Sequence, residues 1–327
     1  STDTFRMHTI KQLQEIIAKG FGEAVFLQPP DRLYEPINYT LEQGGKRLRP
    51  LLVLLSCELF GGDMRKALFP AMGLEIFHNF TLLHDDIMDH APLRRGRETV
   101  HTRWDVNTAI LSGDTMFVIA YEYVAKTDPG LLPAVLNLFN DTARKVCEGQ
   151  QYDMDFETAD NVAIDEYTHM IRLKTAVLIA CSLKLGAIVA GAPDEMADAV
   201  YEAGINLGLA FQLQDDYLDA FGDESKFGKS IGGDILARKK TCLYLHAMEK
   251  ASPVVRQKLQ DLYFSADAFP AAKISGVKAI FTELGVDEIT REEIQHYHQL
   301  ALKGLSSLGF PGNRSGELFR LMNEMLG

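Results

Sequence analysis

The chain has 327 residues, of which 46% are apolar and 24% are charged. These fractions are those of an ordinary globular protein, so they exclude a disordered chain, a collagen and a small disulfide scaffold. The 33 Lys and Arg residues against 45 Asp and Glu residues give a formal net charge of -12. This balance argues against a nucleic-acid partner, because the phosphate backbone requires a basic surface.

The four cysteines are scattered along the chain and show no spacing typical of a zinc site. We interpret them as reduced, buried side chains. Residues 1–19 contain no apolar run of the signal-peptide type, because charged residues interrupt them. The most apolar window, 175–192, is short for a membrane span and contains Lys184. We therefore expect a cytoplasmic protein with no integral membrane segment, in which this window is a buried core helix.

Apolar residues recur at intervals of three and four, first at residues 51–59 and then at 76–87. This spacing predicts core-facing helices. Glycine and proline clusters predict breaks at 61–63, 91–96, 128–130, 191–193, 222–233 and 309–316. Several segments between them exceed the mean helix length of about 11–12 residues. With no linker in the sequence, these features predict an all-α fold, in which residues 1–327 form a single domain built as a bundle of long helices.

Two segments share the pattern DDxxD: LLHDDIMD at residues 82–89 and FQLQDDYLD at residues 211–219. Each lies near the end of a predicted long helix, so the first and last aspartates of each motif project from one face. Like charges at this spacing repel, and Asp is a poor helix former, so the motif indicates a bound cation. Mg2+ fits because it takes one or two carboxylates and completes its shell with water and phosphate. The repetition disfavours a merely solvated acidic face.

A diphosphate held by carboxylate-bound Mg2+ also needs cationic side chains. Candidates lie in GGKRLRP at 44–50, in RRG at 94–96, at Lys174, in GK at 228–229 and in KKT at 239–241. Taken singly, each of these cations is more readily explained as an exposed surface charge than as a diphosphate ligand, because Lys and Arg are mostly exposed. Lys174 differs because it lies in an apolar segment, where burial without an anionic partner is costly. The sequence has no GxxxxGK[ST] motif, which disfavours a nucleotide bound on a P-loop.

These segments, together with KTA at 174–176 and GGDI at 232–235, occur in an order that resembles the trans-isoprenyl diphosphate synthases. The resemblance runs from Gly44 to Thr241. It implies mostly antiparallel helices around a deep central cavity, a homodimer, and Mg2+-dependent head-to-tail condensation of isopentenyl diphosphate with an allylic diphosphate. The allylic diphosphate ionises, the isopentenyl double bond attacks the cation, and a proton is lost to the released diphosphate.

The resemblance also implies roles for individual residues. Three Mg2+ ions are expected, with Asp85, Asp86 and Asp89 forming the first site and Asp215 and Asp219 serving the third ion from the opposite wall. The metal ligands would thus be Asp85, Asp89, Asp215 and Asp219. The groups holding the leaving diphosphate would be Arg94, Lys174, Lys229 and Lys239, supported by Gln212 and Asp216. The metal-free site for isopentenyl diphosphate would comprise Lys46, Arg49, His78 and Arg95. His78, between two phenylalanines, is alternatively a hydrogen-bonded core residue.

Product length depends in this family on the residues four and five positions before the first aspartate, here Thr81 and Phe80. Phe80 lies about 7.5 Å upstream along a helix, so its ring would stop the chain after a few isoprene units. Phe77 is a third candidate. The aromatic fifth position and the uninterrupted DDxxD resemble archaeal-type geranylgeranyl synthases, which favours a 20-carbon product over a 15-carbon one. Alternatively, Phe80 is ordinary core and another wall sets the length.

Three other functions stay open. A class I terpene cyclase would share the first motif but needs no isopentenyl diphosphate site, so GGKRLRP counts against it. A head-to-head synthase of the squalene or phytoene type would have differently spaced acidic motifs. A non-catalytic subunit of a heteromeric synthase would usually have lost aspartates that this chain keeps. Residues 153–157 resemble the start of a calcium loop, but the Gly and Glu that such a loop needs later are absent.

Overall fold

A computed structural model describes residues 7–227, 231–266 and 269–327. The helices in this part of the chain are α1 Ile10–Glu23, α2 Asp31–Glu42, α3 Leu48–Leu59, α4 Leu68–Met88, α5 Val100–Arg103, α6 Val106–Val124, α7 Leu132–Thr158, α8 Ile164–Ile171, α9 Val177–Val189, α10 Asp194–Phe221, α11 Glu224–Phe227, α12 Gly233–Leu236, α13 Cys242–Lys250, α14 Pro253–Tyr263, α15 Pro270–Glu283, α16 Val286–Ser306 and α17 Gly312–Leu326. A 3-10 turn, Met64–Lys66, precedes α4, and a π-helical turn, Arg172–Ala176, precedes α9. The predicted all-α fold is confirmed.

Two details differ from the sequence-based expectation. The break predicted at 91–96 contains a small antiparallel hairpin, formed by strands β1 Leu93–Arg94 and β2 Arg97–Glu98. Its turn residues Arg95 and Gly96 both have positive φ, 52° and 76°, a backbone that suits the right-handed twist of a two-residue hairpin. At the carboxyl end, α17 begins at Gly312, inside the break predicted at 309–316.

The chain forms two compact units. The first contains the residues up to 141, together with 181–201 and 308–321. The second contains 142–180, 202–307 and 322–327. Four of the five boundaries between them fall within helices, namely α7, α9, α10 and α17, and the fifth falls between α16 and α17. The expectation of one domain over residues 1–327 stays a prediction.

In the first unit, α4 packs along α6 in antiparallel orientation. The ring of Phe77 contacts Phe117, while seven residues later in α4 the His84 ring contacts the carbonyl of Ile110. In the second unit, Gly149 of α7 lies against the π-helical turn, where a Cβ atom would collide with the backbone of Lys174. The absence of a side chain at Gly149 therefore lets α7 approach the residue that the sequence singled out.

The apolar window at 175–192 corresponds to the end of the π-helical turn and to α9, and its side chains are largely buried. This confirms the predicted core helix. Within the described part of the chain, no helix has both the length and the apolar character needed to cross a bilayer.

Candidate active site

The first aspartate motif occupies the carboxyl-terminal end of α4. Asp85 and Asp86 lie in the last turn, and Asp89 is the C-cap residue, whose amide donates to the Asp85 carbonyl at 2.9 Å. The end of a helix carries partial negative charge, so each carboxylate there costs roughly 0.3–1 kcal/mol at an exposed site. Three acidic side chains in this position therefore require nearby positive charge.

Arg94 supplies part of that charge. Its Nε and one terminal nitrogen donate to the two carboxylate oxygens of buried Asp86, each at 2.8 Å. Burial lowers the pKa of Arg94, but the hydrogen bonds and charge of Asp86 outweigh this effect and raise it overall. Because Asp86 has a bidentate cationic partner, Asp85 and Asp89 are the better candidates for metal ligands in this motif.

The hairpin that carries Arg94 and Arg95 is anchored to α2. The hydroxyl of Tyr39 donates to the Glu98 carbonyl at 2.7 Å, and the guanidinium of Arg97 lies 4.3 Å from the centre of the Tyr39 ring. These contacts fix the strand that follows the turn. A cleft in the first unit lies alongside, lined by residues that include Asn79, Asp86, Arg94, Arg95 and Thr99.

The four residues predicted to bind isopentenyl diphosphate all lie in the first unit, where the charges of Arg49 and Arg95 act on His78. Arg49 lies in the first turn of α3, and His78 lies on α4; both are half-buried, whereas Lys46 and Arg95 are exposed. Burial and the positive charges of Arg49, Arg95 and Arg94 hold the pKa of His78 well below its usual range. His78 is therefore neutral and lies near cationic groups of the expected isopentenyl diphosphate site, and its role in binding stays a prediction.

The second aspartate motif lies within α10. Asp219 is buried and accepts a hydrogen bond from the Asp234 amide at 2.9 Å. Burial, followed by the charge of Asp234, raises the pKa of Asp219 to about 7. Asp216 is also buried, and burial raises its pKa to about 6. Burial together with neighbouring carboxylates therefore disfavours the ionised form of both side chains, although the charge of Lys239 partly offsets this at Asp216.

Asp216 has several hydrogen-bond donors around it. They are the hydroxyl of Tyr167, the Gln212 side-chain amide at 3.1 Å and the Cys242 amide at 3.5 Å. Gln212 in turn accepts from the Thr175 hydroxyl at 3.1 Å. This network supports the expectation that Gln212 and Asp216 act as polar support.

Two of the predicted diphosphate-binding lysines lie in the second unit. Lys174 is in the π-helical turn, and its Nζ is 2.6 Å from an Asp153 carboxylate oxygen. Single π-turns within helices are often found at functional sites. Loss of hydration lowers the pKa of Lys239, but the charges of Asp234, Asp216 and other carboxylates raise it above its usual value. Lys174 is thus held by the Asp153 carboxylate, and Lys239 lies in the field of several carboxylates. Lys229 lies outside the described residues.

The residues expected to set product length lie in a cluster of aromatic rings in the first unit. Phe80 stacks on Phe117, with ring centres 4.9 Å apart and an interplanar angle of 4°. Phe77 is fully buried between Phe80, Phe117 and Phe139. Phe80 is 9% exposed, so it lies nearer the surface of this cluster than Phe77 does. Thr81 is half-buried and donates to the His78 carbonyl at 2.6 Å.

The donor chemistry of both motifs fits Mg2+. Across residues 7–227, 231–266 and 269–327, no three His, Cys, Asp or Glu side chains are grouped closely enough to enclose an ion. Mg2+ does not require such a group, because it keeps water and substrate phosphate among its ligands. The all-oxygen donors of Asp85, Asp89, Asp215 and Asp219 therefore fit this ion.

The polyprenyl synthetase family model matches residues 30–281. The chain belongs to this family. A crystal structure of a geranylgeranyl pyrophosphate synthase is 44% identical, with a TM-score of 0.93, covering 98% of this chain and 99% of that one. The geranylgeranyl pyrophosphate synthase of Geoglobus acetivorans is 37% identical over 298 residues, 90% of this chain and 91% of that protein. The geranylfarnesyl diphosphate synthase of Natronomonas pharaonis is 38% identical over 263 residues, 75% and 77% of the two chains.

Several partners of the candidate site residues carry little signal in the sequence. Asp153 belongs to the segment that resembles the start of a calcium loop, yet it pairs with Lys174. Asp234 binds Asp219 through its amide, and Tyr167 binds Asp216. The GGDI segment was the available signal for Asp234; the remaining partners are far apart in sequence.

Two basic residues whose roles the sequence left unassigned have structural contacts. The Arg47 guanidinium donates to the Leu41 carbonyl at 3.2 Å and lies 4.5 Å from the centre of the Phe21 ring. The Lys240 Nζ donates to the Phe156 carbonyl at 2.9 Å and also to Ala159. Because these are carbonyls at and just beyond the end of α7, Lys240 stabilises that helix terminus.

Proposed function

We propose that this chain catalyses the head-to-tail condensation of isopentenyl diphosphate with an allylic diphosphate to give a short-chain all-trans prenyl diphosphate. The carbon–oxygen bond of the allylic substrate breaks, its C1 bonds to the terminal carbon of isopentenyl diphosphate, and a proton leaves. The products are a prenyl diphosphate one isoprene unit longer, inorganic diphosphate and a proton. The observation that carries this proposal is the pair of DDxxD motifs, both on long helices and with the same spacing, the first of them on the helix that also carries His78, near Arg49 and Arg95.

Mg2+ is the proposed cofactor, with three ions per site as the family resemblance suggests. Asp85 and Asp89 of the first motif, and Asp215 and Asp219 of the second, would hold it. When bound, Mg2+ neutralises the allylic diphosphate and stabilises it as a leaving group.

The chain's own residues bind and orient the two diphosphates. In this proposal Arg94, Lys174 and Lys239 hold the allylic diphosphate by charge-assisted hydrogen bonds, which strengthen as negative charge develops on the departing group. Lys229 has the same proposed role. Arg49, Arg95 and Lys46 hold isopentenyl diphosphate, and neutral His78 adds a hydrogen bond without adding charge.

Geranylgeranyl diphosphate, with 20 carbons, is the favoured product, and farnesyl diphosphate, with 15, is next. The stacked rings of Phe80 and Phe117 support a closed end to the chain-binding space a few isoprene units from Asp85. The names of the relatives include both geranylgeranyl and geranylfarnesyl synthases, which supports a short chain without selecting its length.

A homodimer is the proposed assembly. Helix α6 exposes Val106, Ile110, Leu111 and Val118, which are 48%, 42%, 57% and 59% accessible to solvent. A run of large apolar side chains on one helix is typical of a surface covered by another protein. A second copy of this chain is the occupant that we propose.

A cytoplasmic location is also proposed. Cys57, Cys181 and Cys242 are buried, whereas Cys147 is exposed, which corrects the expectation that all four are buried. Burial raises the pKa of Cys57 to about 12 and that of Cys242 well above its usual value. Buried protonated thiols of this kind behave as small apolar side chains and suit a reducing compartment.

Removal of a single motif carboxylate tests the proposal. We expect Asp85→Ala and Asp215→Ala to abolish Mg2+-dependent condensation while circular dichroism shows an intact helical fold. Asp128→Ala is the matched control, because Asp128 is an exposed carboxylate whose partner is Lys66. Full activity of either motif variant would contradict the metal assignment, as would equal loss of activity in the control.

A further inference from the structure

Glu75 is a buried carboxylate that has no role in the reaction proposed above. It lies on α4 and is 3% exposed. One of its oxygens accepts from the Asn79 side-chain amide at 3.1 Å, while the other, Oε2, is buried without a hydrogen-bond partner. Unpartnered buried charges are rare, because burial of a carboxylate is costly unless nearby groups compensate it.

The compensating groups are guanidiniums of the proposed isopentenyl diphosphate site. Burial is the largest effect and leaves the pKa of Glu75 above its usual value, although the positive charges of Arg49, Arg95 and Arg47 and the hydrogen bond from Asn79 lower it. The Nε of Arg49 is itself buried without a hydrogen-bond partner. The charges of three guanidiniums therefore act on Glu75, and one of them, Arg49, has a donor left to use.

The position of Glu75 in the helix connects it to the rest of the site. Residues three, four, seven and eleven positions apart share one face of a helix. From Glu75, these spacings give His78, Asn79, Leu82 and Asp86. Asn79, Leu82 and Asp86 line the cleft that also contains Arg94 and Arg95. Glu75 therefore lies on the face of α4 that lines this cleft.

Arg95 also needs to be held in place. It is exposed, and one terminal nitrogen donates to the Gly44 carbonyl at a long 3.3 Å. Its guanidinium packs on Gly45, where φ is +86° and a Cβ would lie 2.9 Å from the Arg95 Cζ. Only glycine suits that position. These contacts place Arg95 against the Gly44–Gly45 turn, and neither of them supplies a negatively charged partner.

We infer that Glu75 is a positioning residue of the isopentenyl diphosphate site, whose buried carboxylate keeps the guanidiniums of Arg49 and Arg95 in place for the diphosphate. This inference rests on the proposed function. One carboxylate balances part of the charge of three guanidiniums and leaves a positive remainder for the substrate. Glu75 acts through the arginines and does not touch the reacting atoms.

The test uses Glu75→Gln, which keeps the shape of the side chain and removes its charge. We expect the KM for isopentenyl diphosphate to rise about tenfold, with kcat and the KM for the allylic diphosphate changed less than twofold. Glu75→Asp, which keeps the charge, should be intermediate. Glu58→Gln is the matched control, because Glu58 is equally buried in the first unit but is bonded to His8; we expect it to leave all three parameters unchanged.

The two possible roles of Glu75 predict opposite changes in the KM for isopentenyl diphosphate when its charge is removed. If its charge merely opposed the arginines, its removal would increase the attraction for diphosphate and lower the KM, which would overturn the inference. An unchanged KM, or a parallel loss of kcat and both KM values with a lower Tm, would also overturn it. If Glu75→Gln does not fold, Glu75→Asp decides the question: a higher KM for isopentenyl diphosphate, with kcat and the KM for the allylic diphosphate little changed, supports the inference, and any other pattern overturns it.

Binding of inorganic pyrophosphate, measured by calorimetry without other substrates, separates this inference from the proposed function. We expect Glu75→Gln to weaken binding about tenfold relative to wild type. If wild type binds pyrophosphate but forms no product, the proposed function fails while the Kd ratio still decides the role of Glu75. A double-mutant cycle with Arg95→Gln should show a smaller effect of Glu75→Gln when Arg95 is absent; additive effects would contradict action through the arginines.

Discussion

Phe80→Ala should lengthen the product of this protein. The ring of Phe80 lies about 7.5 Å from Asp85 along α4, at 1.5 Å per residue, and stacks on Phe117 at 4.9 Å. Its loss vacates the volume of about six carbon atoms, and one isoprene unit has five, so the space created matches one added unit. We therefore expect the main product to shift from 20 to 25 carbons.

The same substitution has a cost in stability that can be bounded. Phe→Ala at a buried site destabilises a protein by about 3–5 kcal/mol, and loss of an aromatic pair adds about 0.5–1.5 kcal/mol to the transfer term. Since Phe80 is 9% exposed, we expect the lower end, about 3 kcal/mol, by denaturant unfolding.

Phe139→Ala is the control for nonspecific loosening. Phe139 is 1% exposed and contacts Phe77 and Tyr121, so its loss opens the far side of the aromatic cluster. The assay separates products by chain length after incubation with labelled isopentenyl diphosphate and a 15-carbon primer. An unchanged product distribution for Phe80→Ala would refute the role of Phe80, as would equal lengthening by Phe139→Ala.

Three further variants or conditions test other parts of the site. The pKa of Asp219 is about 7 in the folded protein against an ordinary 3.8. Between these two pH values the folded state keeps a proton that the unfolded state has lost, so the Asp219 carboxyl lowers the stability of the protein as the pH rises from about 4 to about 7. Without divalent ions the Tm advantage of Asp219→Asn over wild type should therefore grow from about pH 5 to about pH 8, and added Mg2+ should remove it; a constant difference would contradict this. Because His78 is neutral, we expect His78→Gln to keep the KM for isopentenyl diphosphate within about threefold of wild type. His78→Ala should raise this KM about two- to tenfold, which corresponds to the loss of one neutral hydrogen bond. A much higher KM in His78→Gln would show that the charge or the ring shape of His78 matters. Asp153→Asn should lower kcat about 10- to 100-fold, since a hydrogen bond to a charged group such as Lys174 is worth about 1.5–3 kcal/mol, while the KM for isopentenyl diphosphate stays unchanged; normal turnover would show that Lys174 needs no partner.

Helix positions and the two acidic motifs could be predicted because they depend on neighbours in sequence. The apolar spacing before Asp85 and before Asp215 places both motifs in long helices, and the structure has them in α4 and α10. The hairpin at residues 93–98 was not predicted, because two residues per strand give no periodicity.

Partners of the charged residues could not be predicted, because they come from distant parts of the chain. Asp153 and Lys174 are 21 residues apart, and Tyr167 and Asp216 are 49 apart. The π-helical turn at Arg172–Ala176 has no composition signal either. The burial of Glu75 results from tertiary packing. One acidic residue in an otherwise apolar helix does not show from sequence alone whether it faces solvent or the protein interior.

The most direct test of the account is a condensation assay on the purified chain. It contains labelled isopentenyl diphosphate and one allylic diphosphate of 5, 10 or 15 carbons, with and without Mg2+. We expect products that form only with Mg2+ and end mainly at 20 carbons from every primer. Folded protein that forms no longer prenyl diphosphate from any primer would contradict it.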